Sequence, residues 1–349
     1  MPILPVTLPS NWTDGPRIWD MLVYAMSRGQ QGSGCLTSEL RDLCLHYVMR
    51  ALPTGVCSAL GAWLSTTLGQ RRYPVANARA RDLLGGLRPD LAATPAMLEA
   101  NLHLLWRNVG RAYAEFAVIS RILRAGRMPM CGRQRLDAAL AGNRPLIVCF
   151  VHLGNWEVLG HQLASHPLIT RERPVAAVVM PPVNRAHAKI AEHCRGSLPV
   201  ELVSIGPHVW RNVHRTLRRP DGVIWIAADE VANGRVFAPH FGRRPRIDGN
   251  LGKIVRLAAA TGALVLPTYS ERTEPARFQS HILPLLEIPQ GRLTDEMVRE
   301  QVMRIDAIFA PIVRRLLTQW YMAVEFSADP DDPVMPDFQE RQSGRALNG

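Results

Sequence analysis

A histidine stands five residues ahead of a glutamate in the segment Val151-His152-Leu153-Gly154-Asn155-Trp156-Glu157. An imidazole with one nitrogen held by a carboxylate keeps a single tautomer, and its other nitrogen becomes the better base. Such a pair suits a general base that takes the proton from a hydroxyl while that hydroxyl attacks a carbonyl. No serine or cysteine nucleophile need intervene. On one continuous helix the two side chains would be separated by about 140°, too far around the axis for contact. The segment predicts instead that His152 ends a strand, the chain turns through Gly154, and Glu157 enters the first turn of a helix, close to the imidazole. Glycine supplies the backbone angles that such a turn needs. The same residues also suit a plain structural role, with His152 closing the strand and Glu157 favoured by the helix dipole. Residue types alone leave both open.

The elements around this segment must form a scaffold that can hold it. Leu146-Ile147-Val148-Cys149-Phe150-Val151 is a continuous apolar run, the pattern of a strand buried on both faces. Similar runs follow at Val175–Met180, Leu198–Ser204, Val223–Ala227 and Ala263–Thr268, and helical segments separate most of them: Glu157–Ser165, Ala186–Arg195, His208–Arg218 and Leu251–Thr261. The alternation predicts an α/β fold with a central, mostly parallel mixed sheet flanked by helices. In such folds ligands sit at the carboxyl ends of the strands, where His152 falls. A last helix is expected over Thr294–Thr318, then a short strand near Tyr321–Phe326.

Ahead of Pro145 the pattern is helical from about residue 38 to 140, and Thr94-Pro95 opens one helix as N-cap and first position. The sequence therefore divides into a loose extension (1–37, with a short helix near Ile18–Met26), one domain over 38–327, and a flexible tail (328–349). Within the domain, 38–140 is an N-terminal helical segment and 145–327 an α/β core. Leu40–Leu68 carries apolar residues at helical spacing, broken by Pro53 and Gly55. It reads as two amphipathic helices that either pack on the core or lie in a membrane interface with Trp63 as an anchor.

Composition narrows the function. With 349 residues, 47% hydrophobic and 20% charged, the chain is ordered and globular rather than disordered. Its formal charge of +11 points to an anionic partner. All but two of the 41 basic residues are arginine, however, so codon preference accounts for the surplus equally well. The six cysteines form no C-x-x-C and no zinc-type Cys/His pairing, so no metal is expected. Reduced, buried thiols in a cytoplasmic protein are the simpler reading, and no secretory signal is expected. Gly249, Gly252 and Lys253 fail as a phosphate loop because Ile254 stands where Ser or Thr should be. There is no G-x-G-x-x-G and no G-x-S-x-G, and scattered arginines with few aromatics argue against nucleic acid.

His152-x-x-x-x-Glu157, within His-Leu-Gly-Asn-Trp-Glu, resembles the signature of the bacterial lipid A late acyltransferases, the lauroyl and myristoyl enzymes of the HX4D/E glycerolipid acyltransferase superfamily. Arg107-Asn108-Val109-Gly110-Arg111-Ala112-Tyr113-Ala114-Glu115 is similar to a helix of that family. Ala228-Asp229-Glu230 falls where the family has Asp-Gln, and Phe237–Gly242, Ala259–Ala263 with Pro267, and Gln319-Trp320-Tyr321 continue in order. The likeness runs from about Leu52-Pro53 to Phe326. Three positions depart from it: Met180 precedes the proline where the family carries Arg, and Met322 and Val324 replace a Trp and a His. Nearby Arg185 is the expected substitute for the first.

The resemblance implies an O-acyltransferase that uses an acyl thioester, on acyl carrier protein or coenzyme A, to acylate a hydroxyl of a lipid or glycolipid, with no cofactor. His152 is the expected base and Glu157 its orienting partner. Asn155, Asp229, Asn184 and Arg185 are expected at the substrate, with backbone N–H groups around Gly154-Asn155 facing the oxyanion. The departures leave the acceptor open, lipid A or another lipid. The expected location is peripheral, at an anionic membrane surface on the cytoplasmic face of the bacterial inner membrane, with no nucleic-acid partner. Two other readings share these residues: an acyl-thioester hydrolase, and a non-catalytic paralogue that binds membrane or carrier.

Overall fold

The computed structural model describes residues 35–180, 185–206, 208–232 and 235–326. The expected helix near Ile18–Met26, Asn184 and the Asp/Pro-rich tail lie outside these. The helical first part comprises α1 (Cys35–Ala51), α2 (Thr54–Leu64), α3 (Pro74–Leu87), α4 (Pro95–Glu115), α5 (Ile119–Arg124) and α6 (Arg133–Ala141). Pro53 separates α1 from α2, as its fixed φ and missing N–H require. Gly55, expected to help break the run, instead sits inside the first turn of α2. That helix continues through a π-helical turn, Ser65–Gly69, into Gln70–Arg72.

Helix α4 starts where its sequence directs: Pro95 takes the first position and the Thr94 hydroxyl accepts the Met97 N–H at 3.2 Å. Leu102, Leu105, Val109 and Tyr113 then turn inward along one face. Helices α2 and α4 cross in close contact at Gly61 and Gly110. A Cβ on Gly61 would lie 2.5 Å from the Gly110 carbonyl oxygen, and one on Gly110 would lie 2.2 Å from that of Gly61. Only glycine fits either side.

The sheet contains β1 (Met130–Cys131), β2 (Leu146–Phe150), β3 (Val175–Val179), β4 (Glu201–Ser204), β5 (Val223–Ala227), β8 (Leu264–Glu274) and β9 (Arg277–Ile282), in the order β1-β9-β8-β2-β5-β3-β4. Every neighbouring pair is parallel except β8 with β9. A separate antiparallel hairpin joins β6 (Val231–Ala232) and β7 (Arg235–Val236). Alternate residues of the central strands enter opposite cores, as the two-residue repeat of a strand demands. Ile147, Cys149, Ile224, Ile226 and Val265 face one layer, which includes α3, α4, α9 (Val209–Leu217), α10 (Asn250–Thr261) and α11 (Asp295–Arg315). Leu146, Val148, Val223, Trp225 and Leu266 face the other, built on α5, α6, α7 (Trp156–Ala164) and α8 (Arg185–Arg195).

Two elements differ from expectation. The predicted strand near Tyr321–Phe326 is a 3-10 turn over Tyr321–Val324, and only Trp320 makes a β-bridge, to Leu153. Strand β2 already has β5 on one side and β8 on the other, so no edge is open for a further strand. The second difference is β8, which runs six residues past Thr268 to Glu274 and turns back into β9. Its outer half, Ser270-Glu271-Arg272-Thr273-Glu274, is too polar to read as a buried strand.

Candidate functional site

Strands β2 and β5 lie side by side in register, with Phe150 opposite Ala227. His152 and Asp229 each lie two residues beyond that pair, so the two chain ends deliver both side chains to one point. His152 Nδ1 is 2.8 Å from Asp229 Oδ1, and the His152 backbone N–H donates to Oδ2 at 2.8 Å. Trp320 Nε1–H donates to the same Oδ2 at 2.7 Å. Asp229 is fully buried and its oxygens meet three nitrogens, so its position is fixed. A carboxylate only accepts, so the ring proton resides on Nδ1 and the lone pair falls on Nε2. That is the tautomer a general base requires. The His152 side chain is 18% exposed, open enough for a reacting group to reach.

Four rings gather around the imidazole. Trp156 lies 5.0 Å from it centroid to centroid, Phe150 5.7 Å and Tyr321 6.1 Å. Tyr113, from α4, meets Trp156 and Tyr321 edge to face. These walls are apolar and π-rich. They suit an alkyl chain, and their negative faces favour a transient imidazolium.

The expected contact between Glu157 and His152 is not formed. Gly154 does make the left-handed turn, with φ of 59°, and a Cβ there would lie 2.7 Å from the Ser270 carbonyl oxygen. That turn sends Glu157 into the layer of α7 and α8 rather than back to the imidazole. Its carboxylate is buried and bound by both arms of Arg195, Nε to Oε2 at 3.1 Å and Nη2 to Oε1. Glu157 thus docks α8 onto α7, and Asp229 holds the place by the imidazole that Glu157 was expected to fill. Removing the docking charge has a measurable cost. Glu157→Ala leaves the largely buried Arg195 guanidinium without its carboxylate, and differential scanning calorimetry should show a loss approaching 3–5 kcal/mol, about the cost of breaking a buried pair. Adding Arg195→Met should recover most of it.

Asn155 also departs from its expected place. It was expected at the substrate, yet it is buried and spent on structure. Its Oδ1 accepts from Glu157 N and Val158 N at 3.2 and 3.3 Å, capping α7. Its Nδ2 donates to Glu115 Oε2 at 3.1 Å and the Ala112 carbonyl at 3.2 Å. The expected oxyanion donors are engaged too: Gly154 N–H bonds Gln319 O at 3.2 Å and Asn155 N–H bonds Ser270 Oγ at 3.1 Å. Asp229 is wholly buried beneath His152, its oxygens spent on His152 and Trp320. Arg185 stands exposed at the start of α8, bonded to none of His152, Glu157 or Asp229. Asn184 lies outside the described residues.

Beneath the turn lies a buried ionic network. Arg272 grips Glu115 with two bonds, Nη1 to Oε1 at 2.6 Å and Nη2 to Oε2 at 2.8 Å. Ser58 Oγ donates to Oε1 at 2.7 Å, which with Asn155 Nδ2 saturates the carboxylate. The Arg272 backbone in turn exchanges bonds with the Gln319 side chain, at 2.7 and 3.1 Å. Helices α2 and α4, strand β8 and the Gln319–Tyr321 turn therefore converge on the loop that carries His152. Glu230, next to Asp229, accepts the Asn250 N–H at 2.7 Å and lies 3.9 Å from Lys253. Burial holds its carboxyl above the usual range. The first turn of α10, which carries Gly252 and Lys253, already holds a carboxylate.

Thiol chemistry finds no support at the site. Burial pushes the Cys57 thiol up to about 12 and Cys194 up to about 11, and holds Cys149, on β2 behind His152, higher still. Among the described residues no cluster of three or more His, Cys, Asp or Glu is placed to hold a metal ion.

Residues 47–324 match the family described as bacterial lipid A biosynthesis acyltransferase. No curated protein matches the chain.

Proposed function

The chain belongs to the bacterial lipid A biosynthesis acyltransferase family, and from that premise we propose that it moves a fatty acyl group from a thioester to a hydroxyl of a lipid or glycolipid. The observation that carries this reading is the His152–Asp229 pair, with its lone pair on Nε2 amid aromatic rings. Nε2 takes the acceptor's hydroxyl proton as that oxygen attacks the thioester carbonyl. The tetrahedral intermediate collapses with cleavage of the carbon–sulfur bond. The departing thiolate takes the proton back from the imidazolium, giving ester and free thiol. Asp229 stays ionised throughout and offsets the imidazolium charge.

The donor is an acyl thioester on acyl carrier protein or coenzyme A. Both are acidic, as are the headgroups of bacterial membranes, and the +11 balance of the chain suits either. The place of action is peripheral, at the cytoplasmic face of the inner membrane, where carrier-bound acyl chains and lipid acceptors meet.

Product analysis tests the reading. Purified protein given an acyl thioester and detergent-dispersed bacterial lipid should yield, by mass spectrometry, an acceptor heavier by one acyl group and an equivalent of free thiol. Free fatty acid without acylated lipid would make the protein a hydrolase, and no turnover on any lipid hydroxyl would leave the pair without this chemistry.

A further inference from the structure

Among the described residues, one face of α2 and its π-helical continuation is apolar and uncovered. Cys57, Ser58, Gly61, Ala62, Ser65 and Gly69 turn inward, where Gly61 meets α4. Val56, Ala59, Trp63 and Leu68 turn outward, with Trp63 59% exposed. The two hydroxyls on this side are turned back onto their own helix. Thr66 Oγ1 donates to the Ala62 and Trp63 carbonyls at 3.0 and 3.1 Å, and Thr67 Oγ1 to Trp63 O at 2.8 Å. The face therefore offers almost nothing to hydrogen-bond.

We infer that this face is where the protein lies on an anionic phospholipid bilayer. Three observations choose that occupant. A protein partner would need polar groups, since interfaces between proteins carry about one hydrogen bond per 100–200 Å². A lipid surface needs none, and tryptophan is the side chain that best suits the boundary between headgroup and acyl chain. Charge agrees: from Leu43 to Arg81 the sequence holds no Asp or Glu and five arginines, of which Arg81 is paired with Glu99 of α4 and Arg50 bonds His193. Arg71 stands exposed one turn beyond Leu68. Finally, α4 bridges the face to the chemistry, for it packs on α2 at Gly110 and carries Tyr113 to the rings beside His152. A lipid acceptor in that bilayer would lie on the near side of the site. The inference deepens the proposed function and rests on it for the lipid nature of the acceptor.

The test uses the full chain and vesicles of phosphatidylglycerol with phosphatidylethanolamine, against phosphatidylcholine alone. Wild type should sediment with the anionic vesicles, and brominated lipid should quench part of its tryptophan fluorescence, a part lost in Trp63→Phe. Trp63→Glu and Val56→Glu should each weaken partition by about tenfold or more, with thermal midpoint and transfer to detergent-dispersed acceptor unchanged. His152→Ala should bind vesicles like wild type. Vesicle binding untouched by both glutamates would overturn the assignment. So would wild type that ignores anionic vesicles, which would mean that residues 1–34 or a second copy cover the face. Vesicle binding that depends on Trp63, in a protein with no acyl transfer, would sink the proposed activity and leave this surface standing.

Discussion

Asp229→Asn should lower kcat for acyl transfer by about 10²–10⁴ while the protein stays folded. The reason lies in which atoms face the carboxylate. Oδ2 receives two donors, the His152 backbone N–H and Trp320 Nε1–H. In the amide, the one remaining oxygen must occupy that position, because an NH2 there would meet both donors head-on. The NH2 then faces His152 Nδ1, which can only accept from it. The proton moves to Nε2, and the lone pair that should receive the acceptor's proton is gone. Substrate binding does not use Asp229, so KM should hold. Asp229→Ala has a different signature. It strands two buried donors, each costing about 1–3 kcal/mol, and should lower the thermal midpoint as well as kcat. His152→Ala should match or exceed the Asn variant in its loss of kcat, at some cost in thermal midpoint, because it takes the ring partner from the buried Asp229 Oδ1. Near-normal turnover by Asp229→Asn would remove Asp229 from the mechanism and, with it, the present assignment of the base.

The contrast between Asp229 and Glu157 marks how far the sequence could be read. Apolar runs locate β2, β3 and β5 almost to the residue, because strands buried on both faces need unbroken apolar sequence. Thr94-Pro95 marks a helix start because caps are local chemistry, although Asn155, which caps α7, was expected at the substrate instead. The position of His152 at a strand end follows from the same patterns. Its partner does not. Asp229 lies 77 residues away, and only the adjacency of β2 and β5, a property of the folded sheet, brings the two together. Glu157 was the nearest carboxylate in sequence, and proximity in sequence misled. Arg195, which binds it, lies 38 residues on, and its helix was legible while its target was not. The resemblance singled out Asp229 but put it at the substrate; the signal for its pairing was positional: an acid two residues past a buried strand, as His152 is past its own.

Glu115→Ala should cost roughly 3–5 kcal/mol of stability, the usual penalty for stripping one partner from a buried ion pair. Arg272 is almost wholly buried and Glu115 wholly so, so the guanidinium left behind has no water to turn to. The loss would also free Ser58 Oγ and Asn155 Nδ2 from their shared carboxylate. Asn155 caps α7, so the strain reaches the turn that carries His152. Differential scanning calorimetry should record the drop in midpoint. Arg272→Met alone should behave similarly, since it leaves Glu115 charged and buried. The double variant Glu115→Leu/Arg272→Met separates stability from positioning. An apolar pair of similar volume often restores stability, because the desolvation of two charges is no longer required. It cannot restore the bond to Asn155. If the network serves only the fold, the double variant should recover both midpoint and kcat. If it also positions the catalytic turn, midpoint should return while kcat stays low at unchanged KM. The convergence of four elements on Asn155 and Gly154 favours the second outcome, and a double variant with full turnover would refute it.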